Sequence, residues 1–120
     1  MIRRLSENSS SRNLVGFNST INSQVGTTYT LVYNDLGKVV ELNNSSSITV
    51  TVPADTTGSF NIGDRVDLLQ TGTGQVSIAH AGGVTLNSHD TQRKLTGIWA
   101  AATLIKRAAN SWVLVGNISL

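Results

Sequence analysis

Two histidines, His80 and His89, are the only imidazoles in this 120-residue chain, and the chemistry open to it narrows around them. Serine and aspartate are plentiful, but no serine stands in the Gly-X-Ser-X-Gly setting of a nucleophile elbow. His80 closes an apolar alternation, and His89 stands in Ser88-His89-Asp90, both settings in which an imidazole is expected to be solvated. His89 with Asp90 makes a poor metal pair, because the further converging ligands are missing. Asp55, Asp64 and Asp67 are candidates for calcium, yet they lack the close alternating spacing of a dedicated loop. Asp64 and Asp67 should also point to opposite faces of a strand. Gly72-Thr73-Gly74 has the start of a phosphate loop, but no lysine follows and no helix begins after it, so a tight hairpin turn is the better reading. The chain holds six aromatics (two each of Trp, Tyr and Phe), and a core claims most of them, leaving little for a sugar-stacking platform. We expect no enzyme, no cofactor and no bound metal.

Composition narrows the classes further. Without cysteine there is no disulfide framework, no thiolate metal site and no thiol redox chemistry. No apolar run approaches the roughly 18 residues of a membrane span, so no membrane partner is expected. Arg3 and Arg4 are followed by polar residues where a signal peptide would carry its apolar segment, so synthesis and use without secretion is the expectation. Arg3, Arg4 and Arg12 against Glu7 place the whole formal charge of +2 near the N-terminus. From residue 13 onward Lys38, Arg65, Arg93, Lys94, Lys106 and Arg107 are balanced by an equal number of acidic residues. A nucleic-acid-binding body would carry a basic stripe, and this one is neutral.

The elements that would position these residues are strands. Ser, Thr and Asn contribute 39 residues, whereas Lys, Arg, Asp and Glu contribute only 9 and 7. Such a surface suits strands and turns better than helices. Thr28-Tyr29-Thr30-Leu31-Val32-Tyr33 alternates, and Ile48-Thr49-Val50-Thr51-Val52 gives the cleanest period of two, stopped by Pro53. Lys38-Val39-Val40-Glu41-Leu42, residues 64–70, residues 75–80 and Val84-Thr85-Leu86 supply further strands, and no internal repeat is visible. Residues 54–63 form a longer loop whose Phe60 and Ile62 should fold back over the edge. The chain is organised around residues 94–118, where two apolar runs hold Trp99 and Trp112. We expect residues 99–107 and 112–118 to pair as a hairpin turned at Ala109-Asn110-Ser111, with both tryptophans in core strands. The alanines of the first run also suit a helix. Around Trp112-Val113-Leu114-Val115 the β-branched and aromatic content is that of a strand buried on both faces. The expected fold class is all-β, a compact β-sandwich or small barrel of about eight short antiparallel strands.

An extended N-terminal arm (residues 1–26) should precede the sandwich domain (residues 27–120). Its apolar residues are too scattered for helix or strand. Ile2, Arg3, Arg4, Leu5, Arg12, Leu14, Val15, Phe17 and Ile21 are the candidate partner-binding residues, isolated hydrophobes on a basic segment that can each find a pocket on a neighbour, the alternative being a solvated tail. About 25 extended residues reach roughly 80 Å, enough to cross to another subunit.

Residue order adds a resemblance. Gly26-Thr27-Thr28-Tyr29-Thr30-Leu31, Gly37-Lys38-Val39-Val40-Glu41-Leu42-Asn43 and Ile48-Thr49-Val50-Thr51-Val52-Pro53 come in succession. Phe60-Asn61-Ile62-Gly63, Gly72-Thr73-Gly74-Gln75-Val76, Gly82-Gly83-Val84-Thr85-Leu86, Ala102-Thr103-Leu104-Ile105-Lys106-Arg107 and Asn110-Ser111-Trp112-Val113-Leu114-Val115-Gly116 follow. Over residues 26–118 the chain resembles a small β-domain of tailed-bacteriophage virion proteins. The resemblance implies a non-enzymatic structural module, often trimeric and often at the end of a longer tail or fibre protein. This sequence has no coiled-coil shaft, collagen-like repeat or large N-terminal attachment domain. The expectation is therefore a homotrimeric capsid decoration (cement) protein on the virion's capsid surface, assembled in the host cytoplasm. Its arm would clamp neighbouring subunits of the major capsid protein, with avidity from three copies. The alternative is a short tail or head fibre component whose loops at 43–47, 54–63 and 87–93 contact host glycans.

Overall fold

Alternation of one inward and one outward residue recurs in nearly every stretch that forms a strand, and it gives each strand one face to bury. The computed structural model describes residues 20–120. Strands β1 (Ile21–Gln24), β3 (Val39–Leu42), β5 (Arg65–Gln70), β7 (Thr85–Ser88), β9 (Ala101–Ala108) and β10 (Ser111–Gly116) form a six-stranded sheet in the order β1-β3-β5-β9-β10-β7. Strands β2 (Thr28–Thr30), β4 (Ile48–Val52), β6 (Val76–His80), β8 (Lys94–Leu95) and β11 (Ile118–Ser119) form a five-stranded sheet in the order β11-β8-β6-β4-β2. The expected all-β sandwich is present. A single helical turn, α1 (Asp55–Gly58), lies in the connection from β4 to β5.

The connectivity differs from the expected one. From β1 to β6 consecutive strands lie in opposite sheets, so the chain winds as a flattened coil. Strands β1, β3 and β5 are parallel, and so are β2, β4 and β6. Parallel neighbours need a crossover, usually a helix; here a strand of the facing sheet serves. Among the described residues antiparallel pairing is confined to β5 with β9, β9 with β10, β6 with β8 and β8 with β11. Gly72-Thr73-Gly74 is therefore not a hairpin turn but a corner between sheets. The corner rests directly on the one below it. A Cβ at Gly72 would come within 2.6 Å of Asn43 Oδ1, and one at Gly74 would run into the Ser46 carbonyl. Glycine is needed there because backbone approaches backbone, and the Gly74 N–H donates to the Asn44 carbonyl at 2.8 Å. Asn44 Nδ2 in turn donates to the Val25 carbonyl at 2.8 Å, tying the first corner to the second.

The sheet also takes in part of the expected arm. Strand β1 pairs with β3 in the register Ile21↔Val39 to Gln24↔Leu42, so the sandwich begins ahead of residue 27.

Between the sheets Val40, Leu42, Val66, Leu68, Leu104, Trp112 and Leu114 meet Ile48, Val50, Val52, Val76, Ile78 and Leu95, all of them buried. Phe60 folds inward as expected and meets the Trp112 ring edge-on at 5.2 Å, whereas Ile62 stays exposed. The terminal hairpin forms, β9 with β10, turned through Asn110 in the left-handed conformation (φ 48°). Trp112 is a core residue; Trp99 is not. Strand β9 starts only at Ala101, after a turn in which the Ala100 N–H donates to Gly97 O. The Trp99 N–H donates to Gln70 O at 2.7 Å, and Trp99 has φ 70° and is 68% exposed. The turn's backbone bonding takes Trp99 out of the register that would bury it.

Candidate functional site

The residues with chemical potential do not converge. His80 is exposed, with Nδ1 3.0 Å from the Ala81 carbonyl, and the exposed His89 contacts only its neighbour Asp90 at 3.2 Å. Asp64 accepts the Asn61 N–H at 2.8 Å, Asp67 accepts the Thr103 hydroxyl at 2.6 Å, and Asp55 pairs with Lys106 at 2.7 Å. Among the described residues no three His, Cys, Asp or Glu side chains are grouped as a metal site would need.

Two polar clusters hold the sandwich instead. In the first coil, buried Asp35 accepts hydrogen bonds from Asn22 Nδ2 (2.8 Å), the Tyr29 hydroxyl (2.7 Å) and the Val32 N–H (3.0 Å). A carboxylate with three donors is satisfied without a cation. Burial, with the bond to Asp35 next, pushes the Tyr29 phenol up to about 12. In the second cluster Lys106 Nζ, carried inward by β9, donates to Asp55 and to the Phe60 carbonyl at 2.7 Å. Asp55 and Asn110 bond reciprocally: the Asp55 N–H donates to Asn110 Oδ1 (2.8 Å) and the Asn110 N–H to Asp55 Oδ2 (2.9 Å). This cluster pins α1 to the β9–β10 turn. The hydrogen bond from Lys106 holds the Asp55 carboxyl below its ordinary value.

Of the candidate arm residues, Ile2, Arg3, Arg4, Leu5, Arg12, Leu14, Val15 and Phe17 lie outside the described residues. Ile21 lies in edge strand β1, 60% exposed, on the outer face of the six-stranded sheet. It begins a row across that face, Ile21-Val39-Asp67-Thr103-Val115, in which each residue is the register partner of the next. Beside the row lies another, Ser23-Glu41-Leu69-Ala101. A shallow hollow of about 350 Å³ opens here, lined by Val39, Asp67, Leu69, Ala101, Thr103 and Val115. The outer face of the five-stranded sheet is different: Thr28-Thr49-Ser77-Lys94-Ser119 and Thr30-Thr51-Ala79 cross it. Sequence reasoning did not assemble the apolar face. Its signal was there in doublets such as Val39-Val40 and Leu68-Leu69, and in Val113-Leu114-Val115, where both faces of a strand are apolar.

Of the loops expected to contact glycans, residues 43–47 are a stacked corner and residues 54–63 carry the Asp55 cluster. The only aromatic in the three loops is Phe60, which is buried. The sequence matches no protein-family model and no curated protein.

Proposed function

We propose that this chain is a structural protein of a tailed-bacteriophage particle, a homotrimeric capsid decoration protein that engages neighbouring major capsid subunits through its N-terminal segment. The observation that carries the reading is the uneven distribution of charge along the sequence. The net charge of +2 belongs to the first residues, which alternate arginine with isolated hydrophobes, while the sandwich behind them is neutral. A neutral, internally hydrogen-bonded body with a basic, intermittently apolar N-terminal segment suits a clamp better than a catalyst. The virion-protein resemblance over residues 26–118 supports the same reading.

The test is binding to shells of the particle's own capsid protein, with the full chain and a chain starting at Thr20. The cut falls there because β1 belongs to the sheet and must be kept. The shortened chain is expected to fold and to lose shell binding; equal binding by both chains would reject the arm as the clamp.

One observation favours a second reading, a fibre component that binds host glycans. Trp99 is an exposed indole in a turn, as in residues that stack on sugar rings. Glycan binding that disappears in Trp99→Ala would move the protein to that class.

A further inference from the structure

Around Trp112-Val113-Leu114-Val115 the sequence has the pattern of a strand covered on both sides, and the sandwich covers only one. Trp112 and Leu114 are in the core, while Val115 on the other side is 44% exposed. The same holds across β3, β5 and β9, where Val39, Leu69 and Ala101 face outward. We propose that the outer face of the six-stranded sheet is the surface on which the chain binds further copies of itself, three such faces closing around a threefold axis. This deepens the proposed trimer and rests on that part of the functional reading alone.

Two observations favour a copy of the same chain. Residue 13 onward is electrically balanced, so identical bodies do not repel one another. The face itself carries both signs, Arg65 toward one end, Glu41 toward the other and Asp67 in the row between them, where it is already held by Thr103. A neighbour in a cyclic assembly can therefore meet opposite charge rather than like charge.

Trp99 adds an anchor. It precedes β9 by two residues at the Leu69–Ala101 end of the face, and its N–H is tied to Gln70. Tryptophan is among the residue types that most often dominate association energy.

Sedimentation equilibrium of the full chain over about 1–50 μM tests the proposal, with circular dichroism to verify folding. The wild type should sediment at three times 12.7 kDa. Leu69→Lys/Val115→Lys should remain folded and become monomeric, while Thr49→Lys, adding charge to the opposite outer face, should remain trimeric. If the double variant fails to fold, Trp99→Ala decides, because Trp99 lies outside every strand; its trimer should dissociate at about tenfold higher concentration. A folded double variant that stays trimeric, or an unchanged Trp99→Ala trimer where the double variant does not fold, would overturn the face and leave the trimer standing. A wild type monomeric throughout the range would overturn trimer and face together, and shell binding by the arm would remain to be judged separately.

Discussion

The two outer faces of the sandwich are built from strands of the same kind and carry opposite chemistry. On the five-stranded sheet the outward residues are threonine and serine, with Ala79 and Lys94; on the six-stranded sheet they include Ile21, Val39, Leu69, Ala101 and Val115. A fold of this size needs only one buried layer, and the threonine face shows how its strands look when the other side is left to water. Threonine keeps the β-branched shape that strands favour while exposing a hydroxyl. The valines and leucines opposite add nothing to the core, and the proposed association of copies is what would cover them.

Reversing the comparison gives the largest expected effect. Making the threonine face apolar, with Thr28, Thr30, Thr49 and Thr51 all changed to Val, should drive the trimer into larger assemblies at micromolar concentration, visible by light scattering. A discrete trimer that stays soluble would break the comparison, since the polarity of that face would then be irrelevant to assembly.

The two tryptophans offer a sharper version. Trp112→Ala removes the ring between Phe60 and the facing sheet and should cost about 3–5 kcal/mol in chemical denaturation. Trp99→Ala should leave the stability of the isolated subunit within about 0.5 kcal/mol, its effect falling on association instead. Similar losses of subunit stability in both variants would show that Trp99 supports the fold and does not serve a surface.

How much of this could be read beforehand depends on which residues are considered. The period of two in Ile48-Thr49-Val50-Thr51-Val52 gave both the strand and its inward face. The hairpin after β9 was legible from Ala109-Asn110-Ser111, because Asn tolerates the left-handed turn. The parallel coil was not legible. A glycine corner that turns between two sheets and one that turns a hairpin use the same residues, and what separates them is the neighbouring coil's backbone against Gly72 and Gly74. Trp99 was misplaced for a similar reason, since its exposure follows from a hydrogen bond to Gln70, far away in sequence. The Lys106–Asp55 pair was invisible as well. An alternation that puts lysine inward reads as an error until α1 brings a carboxylate to it.

A smaller effect is expected within the apolar face. Thr103→Val removes the hydroxyl that occupies Asp67, leaving a carboxylate without its partner where the copies meet. The trimer should weaken by about three- to fivefold, roughly 0.6–1 kcal/mol, in a dilution series. Strengthening would show that the carboxylate is not buried by association.

A pH effect separates the faces from the fold beneath them. Tyr29 has its pKa raised in the fold, so its contribution is complete below pH 10 and is lost as pH rises from there toward about 12. Asp55 is lowered, so its contribution is present above about pH 4 and is lost as pH falls through the folded value. Thermal unfolding should show both limbs, and Tyr29→Phe should remove only the alkaline one. A Tyr29→Phe protein with the alkaline limb intact would assign that limb to another group.

Copy number in purified particles, counted by quantitative mass spectrometry against the major capsid protein, tests the functional reading most directly. The account predicts a fixed stoichiometric fraction of the capsid subunits, giving hundreds of copies per particle. A few copies up to about a dozen would place the protein at the tail or neck, and absence from the particle would contradict a virion role altogether.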